Sequence, residues 1–184
     1  MIGILKKIGG FFLDIIQTVV VALSIFVIIY LFFFQPHQVK GSSMYPNFLN
    51  EEYLLTDKIS YQFQEPKRGD VIVFTAPKNE EYEYIKRIIG LPGETIQIKK
   101  GDIFINEKKL LEEYLPDNIK TQSGSFLKES QSLVIPMDQY FVFGDNRPHS
   151  SDSRAWGTVP RENIVGKAWL CYWPLDKFGL IKRQ

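Results

Sequence analysis

The chain has 184 residues, which suits one domain with a sizeable core and is short for two. Its 22 basic and 21 acidic residues nearly cancel, so nothing in the overall charge points to a nucleic-acid partner. Cys171 is the sole cysteine, which excludes an intramolecular disulfide and a multi-cysteine metal site. We expect no nucleic-acid partner, no cofactor and no bound metal.

An apolar stretch without charges lies near the N-terminus. Residues 15–34 include no Asp, Glu, Lys or Arg, and a helix of about 20 residues crosses the roughly 30 Å of a bilayer's hydrocarbon core. A helix in the core of a soluble domain would carry a polar stripe, which this stretch lacks. We therefore predict a short cytoplasmic N-terminus at residues 1–10, a transmembrane anchor at 11–34 and a β-rich domain at 35–184.

A cleavable signal peptide is the alternative interpretation of this stretch. Such peptides have an apolar segment of about 7–15 residues that ends in a small-x-small site. Here the segment is longer and ends in bulky side chains, and its small-x-small triplet, Ala22–Ser24, falls in the middle of the predicted span. These features favour a retained anchor. Lys6 and Lys7 before the span, against Lys40 after it, favour a cytoplasmic N-terminus and an extracytoplasmic domain.

The rest of the chain shows short apolar or alternating segments separated by turn residues. These patterns predict strands at Asp70–Phe74, Tyr82–Ile89, Thr95–Lys99, Ile103–Ile105, Gln139–Phe143 and Ile164–Tyr172. The pattern lacks the strand–helix alternation of a parallel α/β sheet, so a mainly-β, barrel-like or sandwich-like fold is expected. The polar segment 112–132 is predicted to be an exposed excursion.

Gly41–Pro46 begins shortly after the apolar stretch. Its glycine and proline favour a fixed bend that can hold a backbone N–H beside a serine hydroxyl, which is the geometry of an oxyanion hole. A glycine–serine segment beside a membrane span is also common as a plain linker. Taken alone, this segment leaves both interpretations open.

Lys86 and Arg87 are neighbours on a predicted strand, so their side chains point to opposite faces. One of them must lie among apolar residues unless an edge or a twist exposes both. A buried lysine loses hydration, its pKa falls, and the neutral amine can accept a proton from a serine. The alternative is a lysine that extends its ammonium group into water.

Residues 144–154 form a dense polar segment after the apolar residues 140–143. Either the segment is a solvated loop held by Asp–Arg pairs, or it orients a catalytic group. Its spacing does not match a calcium-binding loop.

Taken together, these segments closely resemble the bacterial type I signal peptidases, membrane-bound serine proteases that remove signal peptides from exported proteins. The resemblance rests on the anchor and on four segments that follow it in order: Gly41–Pro46, Arg68–Phe74, Tyr84–Glu94 and Gly144–Arg154. It implies a largely antiparallel β domain resting on the membrane. It also implies cleavage of preprotein signal peptides at small-x-small sites, near the secretion machinery. We expect a monomer in contact with the lipid bilayer of the cell membrane.

The resemblance also assigns roles to individual residues. Ser43 corresponds to the nucleophile, Lys86 to the general base, and Ser150 to a serine that hydrogen-bonds and orients that lysine. A supporting network corresponds to Asp145, Arg147, Asp152 and Arg154. Gly41 stands where some members have a serine that helps to bind the oxyanion, so the second oxyanion donor is open. Asn47 replaces the usual threonine, with no chemistry that the sequence assigns.

Three alternatives remain at this point. His149, near Asp145 or Asp152, could be the base of a Ser-His-Asp protease, and His37 is the only other histidine. The chain could also be a tethered assembly scaffold without activity, although it retains both the serine and the lysine. Separately, Trp169, Trp173 and Phe178 could either contact the membrane or belong to core strands.

Overall fold

The structure is a computed structural model that describes residues 2–77, 81–116 and 119–183. It begins with helix α1 (Ile2–Phe33), which is continuous over 32 residues. Within α1, Gly9–Ile28 is long and apolar enough to cross a membrane, and none of that segment is buried against the rest of the chain. A helix with apolar side chains exposed all round is typical of a membrane span.

The remainder of the described chain consists mainly of short strands. They are β1 (Phe34–Gln38), β2 (Tyr53–Asp57), β3 (Val71–Thr75), β4 (Glu83–Gly90), β5 (Thr95–Lys99), β6 (Asp102–Ile105), β7 (Lys108–Lys109), β8 (Ser132–Val134), β9 (Gln139–Phe143), β10 (Val159–Pro160), β11 (Ile164–Trp173) and β12 (Gly179–Leu180). Two one-turn helices accompany them, α2 (Ser60–Phe63) and α3 (Ser153–Trp156). Short 3-10 turns lie at Arg147–His149, Arg161–Asn163 and Leu175–Lys177.

The strands form two sheets, and every pairing among the described residues is antiparallel. The larger sheet has 8 strands in the order β1-β2-β11-β3-β4-β9-β10, with β12 added beside β11. The smaller sheet has 4 strands in the order β7-β6-β5-β8. The expected mainly-β, antiparallel class is confirmed. The larger sheet ends at β1 and β10, so it is open rather than a closed barrel.

Apolar residues from these strands fill three clusters. One lies between the smaller sheet and β9 and includes Ile96, Ile98 and Phe141. A second includes Ile72, Phe74 and Ile88, and a third packs Met44 against residues of β2 and β11. The β5–β6 pair shows the alternation that the sequence predicted, since Ile96 and Ile98 are buried while the residues between and beside them are not.

The predicted excursion at 112–132 is exposed along most of its described length, but it also contributes buried side chains. Tyr114, Leu115 and Leu127 belong to the first apolar cluster, and Thr121 is 3% exposed. The segment ends in β8, which pairs with β5. The sequence did not predict these buried side chains, because they stand in a polar segment and do not recur with a helical or strand period.

Candidate active site

The site residues predicted from the sequence lie on two loops and one central strand. The first loop follows β1, and within it the Tyr45 N–H donates to the Ser42 carbonyl over 3.1 Å, forming a turn. Gly41 has a φ of 87°, a conformation that glycine adopts without steric cost, and its N–H donates to Asn50 Oδ1 over 2.8 Å. Met44 is 1% exposed in the third apolar cluster. These contacts fix the backbone on both sides of Ser43.

The second loop follows β9 and is tied directly to the first. The Asn146 N–H donates to the Ser43 carbonyl over 3.0 Å, and its side-chain amide donates to the Ser42 carbonyl over 2.9 Å. Gly144 allows this close approach, because an added Cβ would lie 2.3 Å from the Ser43 carbonyl oxygen. The two loops therefore form one unit around Ser43.

The strand β4 carries Lys86 and Arg87 into the interior. It lies between β3 and β9, and its side chains at 86 and 87 are only 4% and 3% exposed. The sequence required one of the two to be buried; the structure buries both, because both faces of this central strand are covered. On one face Lys86 meets Ser43, and on the other Arg87 meets Asp145.

Lys86 and Ser43 are in direct contact. Lys86 Nζ lies 2.8 Å from Ser43 Oγ and also 2.8 Å from the Ile85 carbonyl oxygen. Burial lowers the pKa of Lys86 from its ordinary 10.5 to about 8, against the opposing influence of the Asp152 and Asp145 carboxylates. A sizeable fraction of the amine is therefore neutral near physiological pH and can accept the hydroxyl proton of Ser43.

Asp145 and Arg87 form a buried ion pair beside this contact. Arg87 Nε and Nη2 donate to the two carboxylate oxygens over 2.9 and 2.8 Å, and Nη1 donates to the Gly69 carbonyl over 2.9 Å. The Arg87 guanidinium also stacks 4.0 Å from the centre of the Tyr114 ring. Each nitrogen of the Arg87 guanidinium and each carboxylate oxygen of Asp145 thus has a hydrogen bond, as a buried charge requires.

Asn47 joins the first loop to this ion pair. Its side-chain amide donates to Asp145 Oδ2 over 2.8 Å and to the Tyr114 carbonyl over 3.1 Å. Sequence reasoning assigned it no chemistry, because its partners lie 67 and 98 residues away in the chain. Among the residues that the structure describes, it is a direct link between the Ser43 loop and the Asp145 side of β4.

Arg147 fastens the excursion to the second loop. It donates to Thr121 Oγ1 over 2.7 Å, to the Tyr114 hydroxyl over 3.0 Å and to the Gly144 carbonyl over 3.1 Å, and it pairs with Glu112. Sequence reasoning missed Glu112, which looked like one more acid in a polar segment. No spacing signal identified it as the partner of a residue 35 positions away.

Asp152 and Arg154 stabilise the far end of the second loop. Arg154 donates to both carboxylate oxygens of Asp152 over 2.8 and 2.6 Å. Asp152 also accepts from the Gly144 N–H over 3.1 Å and caps the start of α3. The pair therefore positions Gly144 against Ser43 rather than contacting Ser43 itself.

A cleft of about 270 Å³ runs beside Ser43 and Lys86; we call it the Ser43 cleft. Its lining residues are His37, Gln38, Val39, Lys40, Ser43, Leu54, Val73, Glu83, Tyr84, Ile85, Lys86 and Ser151. Segments 37–40 and 83–86 are joined at one end by His37 Nε2 and Glu83 Oε2, 2.7 Å apart, and at the other by Ser43 and Lys86. The cleft therefore lies between these two contacts, with Ser43 and Lys86 at one of them.

Comparisons with known proteins show the family to which the chain is related. The sequence model of "Signal peptidase, peptidase S26" matches residues 12–173. The chain belongs to this signal peptidase family. It is 38% identical over 169 residues to signal peptidase I P of Bacillus subtilis subsp. natto, covering 90% of this chain and 91% of that protein. It is 36% identical over 177 residues to signal peptidase IB of Staphylococcus aureus, covering 90% and 92%.

Two further proteins are similar to this chain. A probable signal peptidase I-2 of Synechocystis is 36% identical over 174 residues, covering 92% of this chain and 77% of that protein. A crystal structure of a signal peptidase I from Enterococcus faecalis matches with a TM-score of 0.48 and 35% identity, covering 56% of this chain and 97% of that one. The family predicted from the sequence is confirmed.

The serine that the family resemblance places beside the lysine is not bonded to it. Ser150 Oγ is buried and has no hydrogen-bond partner within the described residues, while Lys86 donates to Ser43 and to the Ile85 carbonyl. Ser150 lies next to the site, since a Cβ on Gly144 would come within 2.2 Å of its Oγ. Its orienting role in this signal peptidase remains a prediction.

Neither histidine is placed to act as a base for Ser43. The His37 ring contacts Thr56 Oγ1 over 2.8 Å and Glu83 Oε2 over 2.7 Å. His149 is exposed, and its ring forms no hydrogen bond or ion pair with any described residue. This geometry is incompatible with the Ser-His-Asp alternative.

The aromatic residues considered for membrane contact are partly or largely exposed. Trp169, Trp173 and Phe178 are 37%, 52% and 63% exposed, and the Trp169 ring stacks 5.2 Å from Phe34 at the end of α1. These side chains therefore lie at the surface of the sheet rather than in its core.

Proposed function

We propose that Ser43 is the nucleophile and Lys86 the general base of a peptidase that removes signal peptides from exported preproteins. The contact of 2.8 Å between Lys86 Nζ and Ser43 Oγ, on a lysine that is 4% exposed, carries this proposal. A general base must lie within hydrogen-bond reach of the proton it takes and have a pKa near the working pH. Lys86 meets both conditions, since burial lowers its pKa to about 8.

In the first half of the reaction, neutral Lys86 takes the proton of Ser43 as Oγ attacks the carbonyl carbon at the cleavage site. The resulting tetrahedral oxyanion collapses, and the bond to the leaving nitrogen breaks. Lys86 Nζ gives its proton to that nitrogen, so the mature protein leaves with a free amine. The signal peptide remains attached to Ser43 as an ester.

In the second half, Lys86, again neutral, takes a proton from water as the water oxygen attacks the ester carbonyl. Collapse of this second intermediate breaks the bond to Ser43 Oγ, which regains its proton from Lys86. The signal peptide leaves with a new carboxylate, and both side chains return to their starting states. The dyad is sufficient for both halves because each proton is returned through the same amine.

The Ser43 N–H is the proposed first donor to the oxyanion. It forms no hydrogen bond within the described residues, so it is free for a ligand. The Gly41 N–H is not free, because it donates to Asn50. Losing one oxyanion donor costs roughly 10²–10³ in turnover in a comparable hydrolase, so the backbone geometry at Ser43 contributes to the reaction as well as its hydroxyl.

The substrate is proposed to bind as an extended strand in the Ser43 cleft. β1 is an edge strand, and residues 83–86 of β4 pair with β3 on one side while no described strand pairs with their other side. Two such edges offer backbone donors and acceptors to a peptide lying between them. The apolar walls would then select small side chains at the first and third positions before the cut, as in the family.

The anchor places this cleft at the membrane in the same proposal. α1 ends at Phe33 and β1 begins at Phe34, so the cleft lining starts four residues after the helix. We propose that α1 crosses the cell membrane once with a cytoplasmic N-terminus and that residues 35–184 lie outside the cytoplasm. The peptidase would then act as a monomer on preproteins arriving from the secretion machinery.

Cleavage of a preprotein by the full chain in detergent tests the dyad. We expect Ser43→Ala and Lys86→Met each to lower kcat by more than roughly 10³-fold, because the nucleophile or its base is lost. Lys128→Met is the matched control, since the Lys128 side chain is exposed and remote from the cleft lining, and it should cleave at the wild-type rate. Retention of activity by Lys86→Met, or loss in all three variants, would contradict the proposal.

A further inference from the structure

A second cavity adjoins the catalytic loops on a surface that the Ser43 cleft does not include. It has a volume of about 420 Å³, and we call it the Tyr45 cavity. Its lining residues are Tyr45, Pro46, Pro116, Ile119, Lys120, Asn146 and Pro148. No described residue lines both this cavity and the Ser43 cleft.

The same two loops border both cavities. The first loop contributes Ser43 to the cleft and Tyr45 to the Tyr45 cavity, and the second contributes Ser151 to the cleft and Asn146 to the cavity. The hydrogen bonds from Asn146 to the Ser42 and Ser43 carbonyls hold these loops together between the two cavities. The two cavities are therefore bordered by the same pair of loops, one of which carries Ser43.

The direction of a bound substrate follows from the shape of the Ser43 cleft. The cleft extends from the His37–Glu83 contact to the Ser43–Lys86 contact. In the proposed binding mode the residues before the cut occupy that length and the chain after the cut continues beyond Ser43, where Tyr45 and Asn146 of the same two loops border the Tyr45 cavity. An extended peptide advances about 3.3 Å per residue. In the enzyme, Tyr45 is only two residues from Ser43. At this advance per residue, the second to fourth substrate residues after the cut can reach the cavity that Tyr45 lines.

We propose that the Tyr45 cavity binds an apolar or aromatic side chain from this part of the substrate, the first residues of the mature protein. This inference rests on the proposed function and adds a second recognition site to it. The cavity has the required chemistry, because three prolines, Ile119 and the Tyr45 ring form its walls. The Tyr45 side chain is 55% exposed, so a partner can cover it. Lys120 lies at the rim and is held by Asp102 over 3.0 Å.

Preproteins that share one signal peptide but differ at positions two to four after the cut test the proposal. One set carries Leu or Phe there and the other carries Gly and Ser. We expect the wild-type full chain to cleave the apolar set with a higher kcat/KM, and Ile119→Asp to reduce that preference roughly tenfold, since a charge would face the apolar side chain. Cleavage of the Gly and Ser set should change little.

Leu111→Asp is the matched control, because Leu111 lies in the same part of the chain, is 77% exposed and does not line the cavity. It should leave the ratio of the two kcat/KM values unchanged. An equal loss on both sets in Ile119→Asp, or no preference in the wild type, overturns the proposal. Failure of the wild type to cleave either set would instead count against the proposed function.

A crosslinking experiment gives a readout independent of turnover. A preprotein with a photoreactive phenylalanine derivative at position three after the cut is bound to the Ser43→Ala full chain and irradiated. We expect the crosslinks to map to residues 45–46, 116, 119–120 or 146–148 by mass spectrometry. Crosslinks confined to residues 37–40 or 83–86 would show that this part of the substrate lies in the Ser43 cleft, and would overturn the proposal.

Discussion

In the proposed mechanism, the protonation state of Lys86 determines whether Ser43 can be activated. Below its pKa the amine carries a charge and cannot accept a proton, and above that pKa it is neutral and can. Because burial lowers the pKa to about 8, we expect kcat/KM to rise tenfold per pH unit at low pH and to level off above about pH 8. Rates measured between about pH 6 and 10 on one preprotein check this profile. A plateau reached only near the ordinary lysine pKa would contradict it.

Individual residues also show how far sequence reasoning reaches. The segments alone left Ser43 and Lys86 open, and the family resemblance assigned their roles; the structure brings the two side chains within 2.8 Å of each other. Asn47 and Glu112 were not assigned roles, because each contacts a residue far along the chain. Local patterns report periodicity and turns, whereas such pairings depend on the final approach of distant loops.

Among the elements, the predicted strands match the structure where alternation or apolar runs are strong. Thr95–Lys99 and Gln139–Phe143 were predicted with the bounds that the structure shows. β1 was not predicted, because its sequence continues the apolar run of the anchor and contains Pro36. Proline is tolerated there because β1 is an edge strand. The strands β7, β10 and β12 have two residues each, too few to show a period.

The pair of Asp145 and Arg87 connects β4 to the second loop, and Asp145→Asn tests that connection. The change would leave the Arg87 guanidinium buried without a countercharge, which typically costs about 3–5 kcal/mol of folding free energy. We expect a clearly lower melting temperature for the detergent-solubilised full chain. The kinetic pKa of Lys86 should also fall, because the Asp145 charge raises it in the wild type.

Asp176→Asn provides the control for this substitution, since Asp176 is exposed on the 3-10 turn Leu175–Lys177. Its melting temperature and pH profile should match those of the wild type. If Asp145→Asn melts like this control, the ion pair contributes little, and the position of β4 must depend on its strand pairings alone.

At the scale of the whole molecule, the end of α1 and the start of the larger sheet are contiguous. The Lys58 N–H donates to the Phe33 carbonyl over 3.0 Å, and Phe34 pairs with Asp57, so the end of the helix is fastened to the edge of the larger sheet. The Ser43 cleft therefore has a fixed position relative to the anchor. A preprotein held in the same bilayer would meet the cleft at a defined height.

A flexible insertion tests the position of the Ser43 cleft relative to α1 independently of the proposed reaction at Ser43. Six Gly and Ser residues placed between Phe32 and Phe33 would let the sheet move by roughly 13 Å relative to the helix. We expect cleavage of a preprotein in liposomes to fall about tenfold, while cleavage of a short soluble peptide in detergent stays unchanged. The same insertion between Gln122 and Ser123, both exposed, is the control. Equal losses on both substrates would indicate damage to the fold instead.

The position of the Ser43 cleft relative to α1 also bears on self-cleavage. Its own helix carries a triplet, Ala22–Ser24, of the kind that such peptidases cut. Ser24 lies nine residues before Phe33 within α1, about 14 Å back along the helix axis. Its peptide bonds are also locked in helical hydrogen bonds and cannot lie extended between two strands. Because the cleft is fastened where the helix ends, we expect that neither this molecule nor a neighbour anchored at the same depth can offer that triplet to Ser43.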